Sequence, residues 1–254
     1  MARFADFIIA GAPRSGTTWL YELLARHPKV HMARPAAPEP KFFLVDEIYQ
    51  RGLPHYARWF AEALPGQLAG EKSTNYLESA VAARRIHAHL PQVKLIFILR
   101  NPVERAYSNY LWSRMNGLET EEFTAALALE AQREQSLAPH LRFARPFSYF
   151  ARGLYADLLR PYLELFPRRQ ILFLRFEDIV ENSVRLSVGL SEFLAVEIRL
   201  KDVIALGRVN VSEKITADMP VAARNHLTAA YSEPNRRLAR VLGEEFEIWE
   251  RCDV

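Results

Sequence analysis

The sequence predicts an α/β fold in which helices cover both faces of a central parallel sheet of about five strands, a three-layer sandwich. Three observations carry that expectation. Apolar runs of strand length occur at residues 7–10, 93–99 and 170–176, and 67–72 reads as a further strand. Segments with helical spacing of their apolar residues alternate with these strands, which implies right-handed crossovers within a parallel sheet and ligands at the strand carboxyl ends. The first run is apolar at every position, as a buried parallel strand requires. The 254 residues, half of them hydrophobic, suit one α/β domain over residues 1–254. No internal repeat, low-complexity tract or Gly/Ser-rich linker divides the chain.

After the first strand the chain breaks into a Gly/Pro turn and restarts as a helix over 17–26, with Trp19, Leu20, Leu23 and Leu24 facing the sheet. His27 and Pro28 end it. Prolines at 35, 38 and 40 exclude regular helix from residues 33–40, which are expected to form part of the wall of a ligand cleft. A short helical piece is expected at 56–63, then strand 67–72, which delivers Lys72 at its carboxyl end. Helix 79–90 is amphipathic through Val81, Ile86 and Leu90. Helix 102–115 starts with Pro102, which suits the first helical position. A charged surface helix is expected at 121–134, a mobile loop at 136–147, a long helix at 149–166 and another at 182–194. Two helices broken near Pro234 are expected between 221 and 242.

The first strand–helix junction carries the functional signal. A strand feeding a glycine-bounded loop and then a helix N-terminus converges backbone N–H groups on one point, where the helix dipole also favours negative charge. The spacing Gly11-x4-Gly16 followed by Thr17 and Thr18 overlays the P-loop template, but Thr17 stands where the lysine of that template would reach terminal phosphates. A basic residue, Arg14, lies earlier in the loop instead. A triphosphate site also carries an acid at the end of a second strand to hold magnesium. Here strand 93–99 is followed by Arg100, which repels a divalent cation and attracts a second anion. The predicted ligand therefore has two separate anionic groups and needs no metal.

These segments resemble the sulfotransferases that use 3′-phosphoadenosine 5′-phosphosulfate (PAPS). The run Pro13-Arg14-Ser15-Gly16-Thr17-Thr18-Trp19 resembles their 5′-phosphosulfate loop, and Arg100-Asn101-Pro102 with Arg105 and Ser108 resembles their 3′-phosphate segment. Glu39-Pro40-Lys41-Phe42-Phe43 and Glu71-Lys72-Ser73-Thr74 resemble the branch acting on heparan-type glycans. The likeness runs in order from about residue 5 to residue 250, and it identifies the chain as similar to a soluble, bacterial-type member. It implies a P-loop-type fold, PAPS as cosubstrate and 3′-phosphoadenosine 5′-phosphate (PAP) as product. The acceptor it implies is a sugar hydroxyl or amine, with small natural products and lipids also open.

The resemblance also implies roles. Arg14 stabilises the leaving group, helped by Ser15, Gly16, Thr17, Thr18 and Trp19 of the same loop. Glu39 is the general base and Lys72 a second cation at the transferring group, with His31 the alternative base. Arg100 and Ser108 take the 3′-phosphate. Ser212 and Lys214 fall where relatives place a loop over the adenosine, although the disulfide that brackets it there cannot form around the single Cys252. Arg175-Phe176-Glu177-Asp178-Ile179 resembles a further family block and reads as a strand end and helix cap. A small-molecule kinase is disfavoured by Thr17 and Arg100. A non-catalytic nucleotide-binding module is disfavoured by the joint presence of Arg14, Glu39, Lys72, Arg100 and Ser108.

Bulk properties agree. A net charge of +3 suits an anionic cosubstrate but lacks the dense basic face of a nucleic-acid binder. One cysteine and the lack of a charged-then-apolar leader or a span-length apolar run lead to the expectation of a cytoplasmic location without a membrane span.

Overall fold

Every residue of β1 (Phe7–Gly11) is buried, and a strand dry on both faces belongs inside a sheet that helices cover on each side. In the computed structural model, which describes residues 2–206, 218–243, 246, 248 and 249, β1 is the middle strand of five. Its neighbours are β2 (Val30–Met32), β3 (Leu68–Lys72), β4 (Lys94–Leu99) and β5 (Ile171–Arg175), in the order β2-β3-β1-β4-β5. Every ladder is parallel, so the expected central sheet of an α/β sandwich is present. The helices are α1 (Thr17–Ala25), α2 (Asp46–Tyr49), α3 (Gly52–Ala57), α4 (Ala80–His89), α5 (Pro102–Met115), α6 (Phe123–Gln135), α7 (Tyr155–Leu165), α8 (Asp178–Glu181), α9 (Ser183–Leu194), α10 (Leu200–Leu206) and α11 (Val221–Leu242). None of them is long and apolar enough to cross a membrane. The chain groups into two compact units, Met1–Leu99 with Arg160–Asn210, and Arg100–Leu159 with Val211–Val254.

The first unit is built on the sheet. Register pairs Ile9 with Lys72 and Ile96, and Ile8 with Glu71 and Leu95. Alternate residues therefore point to opposite faces. Phe7, Ile9, Ile96 and Ile98 share one face with Trp19, Leu20 and Leu23 of α1, Leu186 and Leu190 of α9, and Val203 of α10. On the other face the Phe97 ring meets Tyr162, with centroids 5.1 Å apart, and His87 of α4 packs edge-on to Phe166. Gly70 is set by close approach, since a Cβ there would lie 2.2 Å from Phe7 Cζ.

The second unit has its own core, in which Val103, Tyr107 and Tyr110 of α5 meet Phe123 of α6, Tyr149, and Leu227 and Tyr231 of α11. Asn101 caps α5 by accepting from the Val103 N–H at 3.0 Å, with Pro102 in the first turn. The fully buried Glu119 carboxylate accepts from the Tyr149 hydroxyl at 2.5 Å and pairs with Arg133 at 2.6 Å.

Two expectations are corrected, and one strand has no counterpart in the sequence reading. Residues Val30–Met32 form an edge strand, which at three residues is too short to read from periodicity and exists through its pairing with β3. The helix expected at 149–166 begins at Tyr155, because Tyr149 is drawn into the second core and residues Ala151–Gly153 take a 3-10 turn. The tail is one continuous helix through Pro234. A proline deletes one hydrogen bond, and the apolar face made by Leu227, Tyr231, Leu238 and Leu242 runs through that point.

Gly70→Ala should lower folding stability by about 1–3 kcal/mol, the usual cost of overpacking a dense core. An unchanged midpoint in urea unfolding would show that the Phe7 ring can step aside.

Candidate active site

At the carboxyl end of β1 the chain turns through two left-handed residues, Arg14 at φ 66° and Gly16 at φ 84°. The left-handed region costs a non-glycine residue roughly 1–2 kcal/mol, and such turns gather successive N–H groups into a concavity that suits an anion. Gly16 precedes α1 without a side-chain cap, and the first turn of α1 carries no acid. The opening N–H groups of the helix are thus left to the loop. Ser15 is fully buried and its Oγ has no hydrogen-bond partner. These features fit the anionic end of a cosubstrate such as PAPS. The loop is backed by the segment after β5: a Cβ on Gly16 would lie 2.8 Å from Phe176 and 2.9 Å from Ile179.

The carboxyl end of β3 supplies the second part. Lys72 Nζ lies 3.1 Å from Glu39 Oε1 and donates to Thr18 Oγ1 at 3.3 Å, so it bridges the helix that leaves the loop and the acid. Both charged side chains are largely buried, with 6% of Lys72 and 13% of Glu39 exposed. Thr74 completes the acid's shell, its N–H donating to Oε2 at 3.1 Å and its hydroxyl lying 3.2 Å from both oxygens. Two more bonds tie the same segments together. The Lys41 N–H donates to Ser73 Oγ at 3.0 Å, and the Phe43 N–H donates to the Tyr76 hydroxyl at 3.1 Å. Phe42 and Phe43 are anchored among Tyr49, Tyr56 and Tyr76. The arrangement can hold an anion beside a carboxylate that has a fixed cation and a fixed orientation.

Of the residues singled out from sequence, Thr18, Glu39 and Lys72 form one connected group. The Trp19 ring belongs to the core, with 3% exposed, leaving its backbone amide in the first turn of α1. Thr17 is buried beside Ser15 and Gly16 in the chain. His31 lies on β2 opposite Ala69, on the sheet face away from the Lys72 side chain, with Nε2 hydrogen-bonded to the Trp59 carbonyl. Arg100 and Ser108 belong to the second unit, half-buried, with the Arg100 carbonyl accepting from Tyr155 at 2.9 Å. Arg105 is fully buried and donates to the Tyr149 carbonyl. Ser212 and Lys214 lie outside the described residues. At the end of β5, Arg175 faces Asp178 and Glu181, each at 3.8 Å, and α8 follows. Sequence reasoning gave no role to Thr74 as a ligand of Glu39, nor to Phe176 and Ile179 as the support of Gly16. The one available signal was their membership of the two recurrent blocks.

The family model described as Sulfotransferase domain matches residues 4–213. The chain belongs to this family. Human heparan sulfate glucosamine 3-O-sulfotransferase 6 is 37% identical to it over 182 residues, covering 71% of this chain and 49% of that protein. The bifunctional heparan sulfate N-deacetylase/N-sulfotransferase of Drosophila melanogaster is 29% identical over 217 residues, covering 75% of this chain and 20% of that protein. This sulfotransferase domain chain thus spans half or less of the length of these two relatives. A solved sulfotransferase from Alicyclobacillus acidocaldarius superposes with a TM-score of 0.78 at 28% identity, over 95% of this chain and 96% of that one. Mouse sulfotransferase SULT7A1, solved with PAP, shares the fold with a TM-score of 0.60 at 18% identity, over 96% and 91% of the two chains.

Lys72→Met should cost about 3 kcal/mol or more, because it leaves a buried carboxylate without its cation. Thr74→Val, which keeps the backbone N–H, should cost only about 1 kcal/mol. Urea unfolding of the two variants checks the order, and equal losses would mean that the ion pair does not hold the loop.

Proposed function

We propose that this member of the family is a PAPS-dependent sulfotransferase that moves a sulfuryl group to a hydroxyl or amine, on a carbohydrate acceptor by preference. The observation that carries the reading is Lys72, whose Nζ joins Thr18 of the anion cradle to Glu39. Heparan sulfate modification by the relatives supports a sugar acceptor. In this reading residues 1–254 act as one sulfotransferase domain, and the single Cys252 favours a reducing, cytoplasmic location.

PAPS, when bound, supplies an SO₃ unit on a phosphate leaving group. Arg14, the loop N–H groups and the hydroxyls of Ser15, Thr17 and Thr18 balance charge on the phosphosulfate oxygens, as preorganised donors do wherever charge develops. Arginine stays charged at any working pH and binds two oxygens at once, so Arg14 acts as a clamp rather than an acid. Glu39 accepts the acceptor's proton, with Thr74 and Lys72 fixing its oxygens so that the lone pair is aimed before substrate arrives. Arg100 and Ser108 bind the 3′-phosphate, and Ser212 and Lys214, outside the described residues, contribute to cosubstrate binding. Residues 33–52 and 134–149 select the acceptor. With cations supplied by side chains, transfer needs no metal.

PAP, tested with a chelator present, should raise the thermal unfolding midpoint, while ATP with Mg²⁺ should leave it unchanged. Stabilisation by the triphosphate alone would turn the reading toward a kinase. Glu39→Gln should lower kcat by about 10²–10⁴-fold, the usual share of a general base, with PAP affinity within a factor of about three. A collapse of PAP affinity in that variant would make Glu39 structural.

A further inference from the structure

A second carboxyl lies behind the Glu39–Lys72 pair, and the proposed chemistry does not use it. Glu71 is fully buried. It precedes Lys72 on β3, so its side chain leaves the opposite face of the sheet, in register with Ile8. Neither of its oxygens completes an aligned hydrogen bond. The Tyr76 hydroxyl lies close enough to act on the carboxyl without that alignment. The ionisable groups on the elements around it are Tyr56 of α3, Tyr76 of the turn after β3, Glu39 of the loop, His31 of β2 and its own neighbour Lys72. Of the ionised ones it is Glu39, a like charge, whose field raises its pKa.

Burial, reinforced by Glu39 and partly opposed by Tyr76, pushes the Glu71 carboxyl up to about 8. Around neutrality it is an uncharged acid, which carries an O–H donor as well as an acceptor. Tyr76 connects it to the loop. Its hydroxyl accepts the Phe43 N–H at 3.1 Å, its carbonyl accepts from Tyr162, and its turn also contains Thr74, the ligand of Glu39.

We propose that Glu71, buried behind the Glu39–Lys72 pair and beside Tyr76, is a positioning residue for Glu39: it keeps the Phe43 anchor and the Thr74 turn in the arrangement that presents Glu39 to Lys72. This assignment rests on the sulfotransferase reading and on Glu39 as its base. Ionisation of Glu71 places a charge in the buried layer that holds Tyr56 and Tyr76, with only the Tyr76 hydroxyl to oppose its burial and Glu39 as a second negative charge across the strand. The anchor then loosens and turnover falls, while the cradle for the cosubstrate, on the other face of the sheet, keeps its affinity.

The test compares the wild-type protein with Glu71→Gln, which copies the neutral acid in shape and cannot ionise. At pH 7 the variant should turn over within about threefold of wild type. Above pH 8 the wild-type kcat should fall by about tenfold per pH unit, with the KM for PAPS within about twofold, and the variant should lack this limb. Thermal unfolding gives a readout free of substrate. A folded carboxyl raised above its ordinary value adds stability that is fully present below the unfolded pKa and is lost as pH rises through the folded one. The wild-type midpoint should therefore decline between about pH 4.5 and 8 relative to that of Glu71→Gln. Coincident alkaline limbs, or a folded Glu71→Gln inactive at every pH, overturn the assignment and leave the sulfotransferase reading standing. No sulfuryl transfer by either protein overturns both. If Glu71→Gln does not fold, Tyr76→Phe takes its place, with kcat expected to drop about tenfold at unchanged KM for PAPS; an unchanged kcat overturns the proposal.

Discussion

An ammonium and a carboxylate removed from water together lose several kcal/mol of hydration each, and only close pairing with further hydrogen bonds recovers it. Lys72 and Glu39 meet that condition: they are 3.1 Å apart, and Thr74 donates to the acid from both backbone and side chain. The pair in turn dictates the path of the chain between them. Glu39 can reach Lys72 only if the loop that bears it lies along the turn after β3, and the bonds from Lys41 to Ser73 and from Phe43 to Tyr76 keep it there.

The sheet explains why this group stands where an anion can bind. β1 lies at the centre, with β3 on one side and β4 on the other. The chain first goes out to the edge as β2 and steps back to β3 beside β1, then crosses to add β4 and β5 on the other side. Loops leaving neighbouring strands in opposite directions open a crevice at the carboxyl ends, and α/β sheets bind ligands at such a switch. The loop after β1 stands at that point. Its two left-handed residues hold it in a cradle that the rings and methyl groups behind Gly16 keep from collapsing. Strain of this kind persists because the surroundings over-determine it, and it means that little reorganisation is left for the moment of binding.

The two faces of β3 divide the work. Lys72 projects toward α1 and the cradle, while Glu71 projects into the aromatic layer that anchors Phe42 and Phe43. A strand alternates its side chains by geometry alone, so adjacent residues of one motif serve a buried ion pair beside α1 on one face and an aromatic layer on the other.

Much of the architecture was legible in the amino-acid order. Phe7, Ile8 and Ile9, or Leu95 through Leu99, are apolar without interruption, and at strand length between turn residues that pattern suits a strand covered on both sides. Asn101 and Pro102 mark the start of α5 because capping and a fixed φ are local chemistry. The glycine-bounded loop with Arg14, and the placement of Arg100 after a strand, were readable for the same reason, since they depend on residues near one another in sequence. Tertiary structure alone decided the rest. Three residues at Val30–Met32 become a strand only when β3 offers an edge, and α11 runs through Pro234 because the apolar face on either side of it is buried. Sequence displays Glu39, Lys72 and Thr74 as separate letters, but a Coulombic contact between positions 39 and 72 depends on distance in space. Whether Glu71 carries a charge depends on how much water the folded chain lets near it.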